Sequence, residues 1–248
     1  MLSEKELKRY HKKSGYSYAF GSFPTFELLR DRPDTVERIL IHSTVSPDIR
    51  RKLETLCGTY RIPLTENDRT IEKIREKDSC LAAGVFRKYE GSLNPDSNHV
   101  VLINPGDFGN LGTIIRTCVG FGIRDLAIVE PAADIFHPRT IRASMGALFG
   151  MDFRHFPDFQ AYCQAAGVDR TFYPFMLKGA RKLGTFEINH NIPYSLIFGN
   201  ESRGLDDSFL HIGQSVLIAH SPAIDSLNLS LASGIALYEF TRKAFKPD

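Results

Sequence analysis

The stretch HVVLINPGDFGNLGTIIRTCVGFGIRDLAIVE, residues 99–130, decides the fold. It opens on HVVLIN, a β-branched apolar run short enough for a strand buried on both faces. A glycine-rich turn follows, then the helix-like LGTIIRTCVGFG, then DLAIVE, a second apolar strand. Strand, helix and strand in so short a span predict a βαβ unit, and hence a mostly parallel sheet.

The same alternation continues downstream. TIRASMGALF reads as a helix, DRTFYPF contains a strand, and SLIFGNE (195–201) is a strand running into a turn. SVLIAH (215–220) reads as the last strand. SLNLSLASGIALYEFTRKAF closes the chain as a long helix, with Leu227, Leu231, Ile235 and Tyr238 at spacings of four, four and three.

Upstream, the alternation is smaller in scale. VERILIH (36–42), RIPL (61–64) and LAAGVFRKY (81–89) read as strands. Between them lie two helices. One is capped at Ser46, with Pro47 in its first turn and Gly58 as a stop; the other is capped at Asn67. This predicts a β-α-β-α-β unit, preceded by a surface helix or arm over the first 18 residues. EGSLNPDSN (90–98) gathers Gly, Pro, Asn and Asp and reads as a linker. The expected organisation is a small α/β domain with an N-terminal helical arm over 1–90, a linker over 91–98 and a second domain over 99–248.

Charge supports that boundary. The chain's formal net charge of +2 hides 18 Lys and Arg against 14 Asp and Glu over residues 1–90, and 13 against 15 over the rest. The front part thus favours a polyanion weakly. Across 248 residues, 42% hydrophobic and 24% charged composition excludes a disordered or fibrous chain. No apolar run approaches the roughly 18 residues of a membrane span, and the N-terminus has no signal-type apolar region. A cytoplasmic protein without a membrane partner is expected. The four cysteines form no C-x-x-C pair and the eight histidines no H-x-x-x-H, so neither a zinc site nor a disulfide framework is expected. Serine-hydrolase and P-loop motifs are also missing.

Ligands of open parallel sheets sit beyond the C-terminal strand ends. Three segments follow strands there: NPGDFGNLGTIIR, FGNESRGL and SPAIDSLNLS. In the first, Gly106, Gly109 and Gly112 have the spacing G-x-x-G-x-x-G around Asn110, not that of a dinucleotide fingerprint, and only Glu130 stands near the place of its acidic ribose ligand. Arg116 sits among Ile114, Ile115, Cys118 and Val119 in sequence. A guanidinium near apolar surroundings needs an anion, either a structural carboxylate (Asp107 or Glu201) or a phosphate or ribose. In the second segment Gly199 and Gly204 flank Glu201 and permit close backbone approach. In the third, Ser226 and Asn228 are ordinary helix caps and equally good partners for a hydroxyl or an adenine edge.

In this order and near these spacings, the segments resemble the motifs of the SpoU/TrmH family of RNA ribose 2′-O-methyltransferases, within the SPOUT superfamily. The matching residues are Asn110-Leu111-Gly112 with Arg116, Gly199-Asn200-Glu201 with Gly204-Leu205, and Ser226 to Ser230 followed by GIALYE. The resemblance covers about residues 98–245. Departures are Phe108 where the family has proline, Ala219 after Ile218, and Pro222 near a usual glycine.

The resemblance implies a trefoil-knotted parallel α/β sheet preceded by a small α/β substrate-binding domain. It implies S-adenosyl-L-methionine as cofactor, held around Gly199, Ile218 and Leu227. It implies transfer of a methyl group to a ribose 2′-hydroxyl of a structured RNA, ribosomal in preference to transfer RNA. Arg116 would act as general base or as a positioning and charge-stabilising group. Asn110, Glu201, Ser226 and Asn228 would orient it, the ribose and the cofactor. A homodimer is implied, and no metal. Front-domain contacts to RNA are expected among Lys12, Lys13, Arg50, Arg51, Lys52, Arg87 and Lys88. The alternative is a non-catalytic RNA-binding or ribosome assembly factor that retains the methyltransferase fold.

Overall fold

The computed structural model of the protein describes residues 7–167 and 169–245. Its elements, in order, are β1 (Tyr16–Phe20), α1 (Ser22–Asp31), β2 (Val36–Ile41), α2 (Pro47–Tyr60), β3 (Leu64–Glu66), α3 (Asp68–Ile74) and β4 (Ala82–Arg87). Then come β5 (His99–Ile103), α4 (Phe108–Gly120), β6 (Asp125–Val129), α5 (Pro138–Ala143), β7 (Asp152–Phe156) and α6 (Phe159–Ala166). The last are β8 (Thr171–Pro174), β9 (Arg181–Lys182), β10 (Tyr194–Phe198), β11 (Val216–Leu217) and α7 (Leu229–Thr241). They form two compact units: Met1–Tyr89 with Asp134–Gly150, and Glu90–Ala133 with Met151–Asp248.

The first unit is built on a mixed sheet of order β1-β4-β2-β3, with β4 antiparallel to both its neighbours. The apolar run of β2 is continuous because both faces are covered. Ile39 and Ile41 pack with Leu53 and Cys57, while Leu40 packs with Ile71 and Ile74. Leu53 and Cys57 are four apart on α2, and Ile71 and Ile74 three apart on α3, so each helix presents one apolar stripe.

Several sequence expectations change here. Residues 7–15 form turns rather than a helical arm, and YSYAF is strand β1, whose alternating aromatic residues pack into the core. Residues 1–6 of the expected arm lie outside the described residues. The described residues 7–89 of this unit hold one more strand and one more helix than β-α-β-α-β, namely β1 and α1. Helix α2 runs through Gly58 to Tyr60 and ends on Arg61 in the left-handed region (φ 55°). Strand β3 starts after Pro63, which has no N–H to give a ladder. Ser46 and Asn67 cap their helices as expected, accepting from the Ile49 and Thr70 amides.

Residues 134–150 were expected within the back domain, yet they pack with the first unit. Ser17 Oγ donates to the Phe136 carbonyl at 2.6 Å, and the Phe86 ring lies 5.8 Å and 5.2 Å from those of Phe136 and Phe149. The single helix expected over TIRASMGALF is split. Helix α5 ends at Ala143, Met145 and Gly146 take positive φ (53° and 84°), and a 3-10 turn follows. A Cβ at Gly146 would lie 2.8 Å from Pro24 Cα, so only glycine fits.

The second unit has a five-stranded, fully parallel sheet of order β7-β6-β5-β10-β8. The chain moves outward from β5 through β6 to β7, and β10 lies on the other side of β5. The β5/β10 junction is therefore the topological switch point, where a parallel sheet opens a crevice at its C-terminal edge. SVLIAH does not join this sheet: only Val216 and Leu217 are extended, paired with β9. The apolar positions of α7 also divide differently from the expected stripe. Ser233, Ala236, Leu237 and Phe240 are buried, while Leu231, Ile235 and Tyr238 are 63%, 43% and 57% exposed. Among the described residues no helix is long and apolar enough to cross a membrane.

Candidate active site

The crevice at the β5/β10 junction is built from the three motif segments. After β10 the chain makes a tight turn. Gly204 N donates to the Asn200 carbonyl at 2.8 Å, and Gly204 takes φ +68°. A Cβ at Gly199 would lie 2.2 Å from the Gly204 carbonyl carbon, so the turn closes only over a glycine. Asn200 braces it: its Nδ2 donates to the Asn104 carbonyl at 2.8 Å, and its Oδ1 accepts from the Ser202 and Arg203 amides at 3.0 and 3.2 Å. Asn104 directly follows β5, so this bond joins the ends of the two central strands.

The turn aims Glu201 at the start of α4. Its carboxylate accepts from the Gly106 and Asp107 amides at 3.0 and 3.1 Å, from Asn110 Nδ2 at 3.3 Å and from Asn200 Nδ2 at 3.2 Å. Free amides near a helix N-terminus are a favourable place for negative charge. Asp107 caps the same helix, accepting from the Asn110 amide at 2.7 Å. Asn110 Oδ1 accepts from Asn228 Nδ2 at 3.1 Å, and Asn228 Oδ1 caps α7 by accepting from the Ser230 amide at 2.9 Å. A chain of side chains thus runs from Glu201 through Asn110 to Asn228.

Beside this chain lies a cavity of about 590 Å³. Gly199, Ile218 and Leu227, the three expected cofactor contacts, all line it, as do Glu201 and Ser226. Its walls mix the apolar side chains of Phe175, Phe198, Leu217 and Leu227 with backbone of the 199–205 turn. That size and mixture suit a drug-sized ligand with an apolar body and a few polar atoms. Ser226 is exposed and, among the described residues, forms no side-chain hydrogen bond.

Arg116 stands apart. It is exposed on α4, not enclosed by its apolar sequence neighbours, and has no ion-pair partner among the described residues. Asn110 and Arg116 are six residues apart, about 120° around the helix. Glu201 is engaged by four N–H donors elsewhere, so neither it nor Asp107 supplies the structural partner that the sequence left open. The bracing role of Asn200 is not evident from its place in the Gly199-Asn200-Glu201 motif alone. A side-chain amide between two glycines at a strand end was the available signal.

A parallel α/β sheet with a ligand-sized cavity and convergent polar side chains at its switch point defines a small-molecule-binding α/β protein. The chain belongs to the SpoU rRNA Methylase family, which matches residues 97–238. It is similar to the 23S rRNA (uridine(2479)-2′-O)-methyltransferase of Streptomyces viridochromogenes, 30% identical over 58% of this chain and 52% of that protein. It is similar in structure to an AdoMet-bound rRNA methyltransferase from Sinorhizobium meliloti, with TM-score 0.76 and 26% identity, covering 94% of this chain and 89% of that one. A structure described for 2-OH methylation of C/U34 on tRNA is 28% identical with TM-score 0.56, covering 61% of this chain and 98% of that one. The chain spans about half the length of the curated relatives first matched.

Proposed function

We propose that this protein transfers a methyl group from S-adenosyl-L-methionine to a ribose 2′-hydroxyl of a structured RNA, with ribosomal RNA preferred. The observation that carries this reading is the coincidence of the 590 Å³ cavity with the Glu201–Asn110–Asn228 chain at the sheet's switch point. The preference for ribosomal RNA rests on extent. The likeness to the rRNA enzyme covers 94% of this chain, whereas the likeness to the tRNA structure covers 61%.

When bound, S-adenosylmethionine supplies a methyl group already activated by its sulfonium. Gly199, Ile218 and Leu227 line the cavity that would hold it, beside Ser226. The protein's task is to align the ribose oxygen and manage its proton. Arg116 is proposed to contact the target hydroxyl and its neighbouring phosphate, since an exposed guanidinium with no ion-pair partner among the described residues suits that bidentate contact. A guanidinium is always protonated in ordinary surroundings, which favours positioning and charge stabilisation. Asn110, Glu201 and Asn228 hold the start of α4 and of α7 in register. A trefoil knot in the 199–228 region and RNA recognition by the first unit belong to the same proposal.

A homodimer is proposed through α7, whose Leu231, Ile235 and Tyr238 form an exposed apolar stripe. The decisive experiment offers the protein isotopically labelled S-adenosylmethionine and ribosomal RNA from a strain lacking the gene. Nucleoside mass spectrometry should find one new 2′-O-methyl site. Binding of RNA without any transfer would leave the assembly-factor reading in its place.

A further inference from the structure

A second cavity, of about 380 Å³, lies wholly within the first unit. Arg9, Arg75, Lys77, Arg139 and Arg142 line it, against one carboxylate, Glu76. Five cations around one hollow repel each other unless an anion is present. The partners within the unit answer little of that charge. Arg142 reaches Glu76 at 3.4 Å and Arg75 reaches Asp78 at 3.2 Å, while Arg9 donates to the Lys73 carbonyl at 3.4 Å. Among the described residues Lys77 and Arg139 have no ion pair, and both are exposed. The floor is apolar, formed by Phe20 and Ile74, and the Tyr10 ring is at the wall.

The basic residues expected from sequence to touch RNA are mostly engaged elsewhere. Arg50 pairs with Glu66, Arg51 with Asp48 at 2.7 Å, and Arg87 donates to the Asp34 carbonyl at 2.8 Å. The Lys88 ammonium lies over the Tyr10 ring at 4.7 Å and donates to the Lys12 carbonyl at 2.7 Å. The cavity instead gathers five cations against one carboxylate. Two of its cations come from α5, a segment far from the others in sequence, so the hollow exists only because residues 134–150 fold onto this unit.

We propose that this basic cavity is a binding site for the phosphodiester backbone of RNA, with Lys77 and Arg139 as its open contacts. The proposal rests on the RNA-methyltransferase reading but assigns a site distinct from the cofactor cavity. Guanidinium groups offer planar, bidentate bonding to phosphate oxygens, and an aromatic wall with an apolar floor accepts a base or sugar beside them. Backbone contacts carry no sequence preference, so a generic RNA is a fair probe.

The test uses the whole protein and a 20-nucleotide single-stranded RNA of mixed sequence, with affinity followed by fluorescence anisotropy from about 50 to 200 mM salt. The double variant Lys77→Ala/Arg139→Ala is expected to bind at least about tenfold more weakly at low salt. Its log–log salt slope should be shallower by between one and two, since about 0.7 counterions are released per single-strand phosphate contact. Lys77→Arg/Arg139→Lys should restore both. S-adenosylmethionine affinity, measured by calorimetry, should not change. Unchanged affinity and slope in the alanine variant, or a wild-type protein that ignores the 20-mer, overturns the site. Methyl transfer to ribosomal RNA is measured in parallel. Transfer with an unchanged variant sinks the site alone; RNA binding that depends on Lys77 and Arg139, without transfer, sinks the enzymatic reading alone.

Discussion

Asn228 Nδ2 donates to Asn110 Oδ1 at 3.1 Å, joining residues 118 apart in sequence, and the direction of that bond is forced. An ionised Glu201 can only accept, so Asn110 must turn its Nδ2 toward it at 3.3 Å. Its oxygen then faces Asn228, which must donate, leaving the Asn228 oxygen to cap α7. One carboxylate sets the orientation of two amides and the start of a helix. Asn228→Asp separates these duties. Aspartate caps as well as asparagine, so stability should stay within about 0.5 kcal/mol. The donor to Asn110 is lost, however, and turning Asn110 over would set its oxygen against Glu201. Methyl transfer should fall at least about tenfold, roughly 1.4 kcal/mol in kcat/KM. A variant with wild-type kinetics would remove this chain from the mechanism.

Glu201→Gln probes the same chain from its other end. A glutamine cannot accept from four N–H donors, because its own NH₂ must face some of them. The expected cost is about 1–3 kcal/mol in denaturant unfolding, the penalty for stranded donors. Since Glu201 also lines the cavity, calorimetry should show weaker S-adenosylmethionine binding. Unchanged stability and affinity together would mean that the turn holds without the carboxylate.

The parallel sheet and all three site segments were legible in sequence, for a physical reason. Buried strands such as HVVLI and DLAIV have no polar face to interrupt the run, and tight turns demand glycines at 199 and 204. What was not legible depends on contacts distant in sequence. The surroundings of Arg116 differ from its sequence context because Ile114, Ile115 and Cys118 are buried on another side of the helix while Arg116 is exposed. Leu231, Ile235 and Tyr238 have the spacing of a core stripe, and only tertiary packing of α7 shows that Ala236, Leu237 and Phe240 are the buried face. Residues 134–150 leave one unit for the other without a compositional break, so charge and linker signals mark only the boundary near residue 90.

Acid should weaken the second unit through His99. This buried ring sits 2.9 Å from the Tyr162 hydroxyl and 3.3 Å from the Arg170 guanidinium. Burial first, and the Arg170 charge second, push its pKa down from 6.5 to about 4. The unfolded chain therefore binds the proton before the folded one does. His99 contributes its full stability above about pH 6.5 and loses it as pH falls to about 4. The loss is up to about 3 kcal/mol. Urea unfolding of wild type and His99→Gln across that range should give curves that converge at low pH. Parallel curves would exclude His99, and the comparison cancels Asp125, whose carboxyl burial pushes upward.

The α7 stripe predicts a solution assembly. Ile235→Glu places a charge on a 43% exposed position, so the subunit should stay folded within about 0.5 kcal/mol. Sedimentation velocity should find wild-type dimers and variant monomers. A monomeric wild-type protein, or a dimer indifferent to Ile235→Glu, would discard this interface.

Arg116 carries the sharpest distinction between structure and chemistry. It is exposed and has no ion-pair partner among the described residues, so Arg116→Ala should leave thermal unfolding and S-adenosylmethionine affinity unchanged. If its guanidinium meets the ribose and phosphate, turnover on RNA should fall by about 10²–10³. Arg116→Lys keeps the charge but not the planar fork, and should recover part of the rate when charge stabilisation dominates and little when bidentate alignment does. Single-turnover kinetics at saturating RNA separate the chemical step from RNA binding. Near-normal turnover in Arg116→Ala would leave the proton without this residue and shift attention to Ser226, which lines the cavity, and Asn228, which bonds to Asn110.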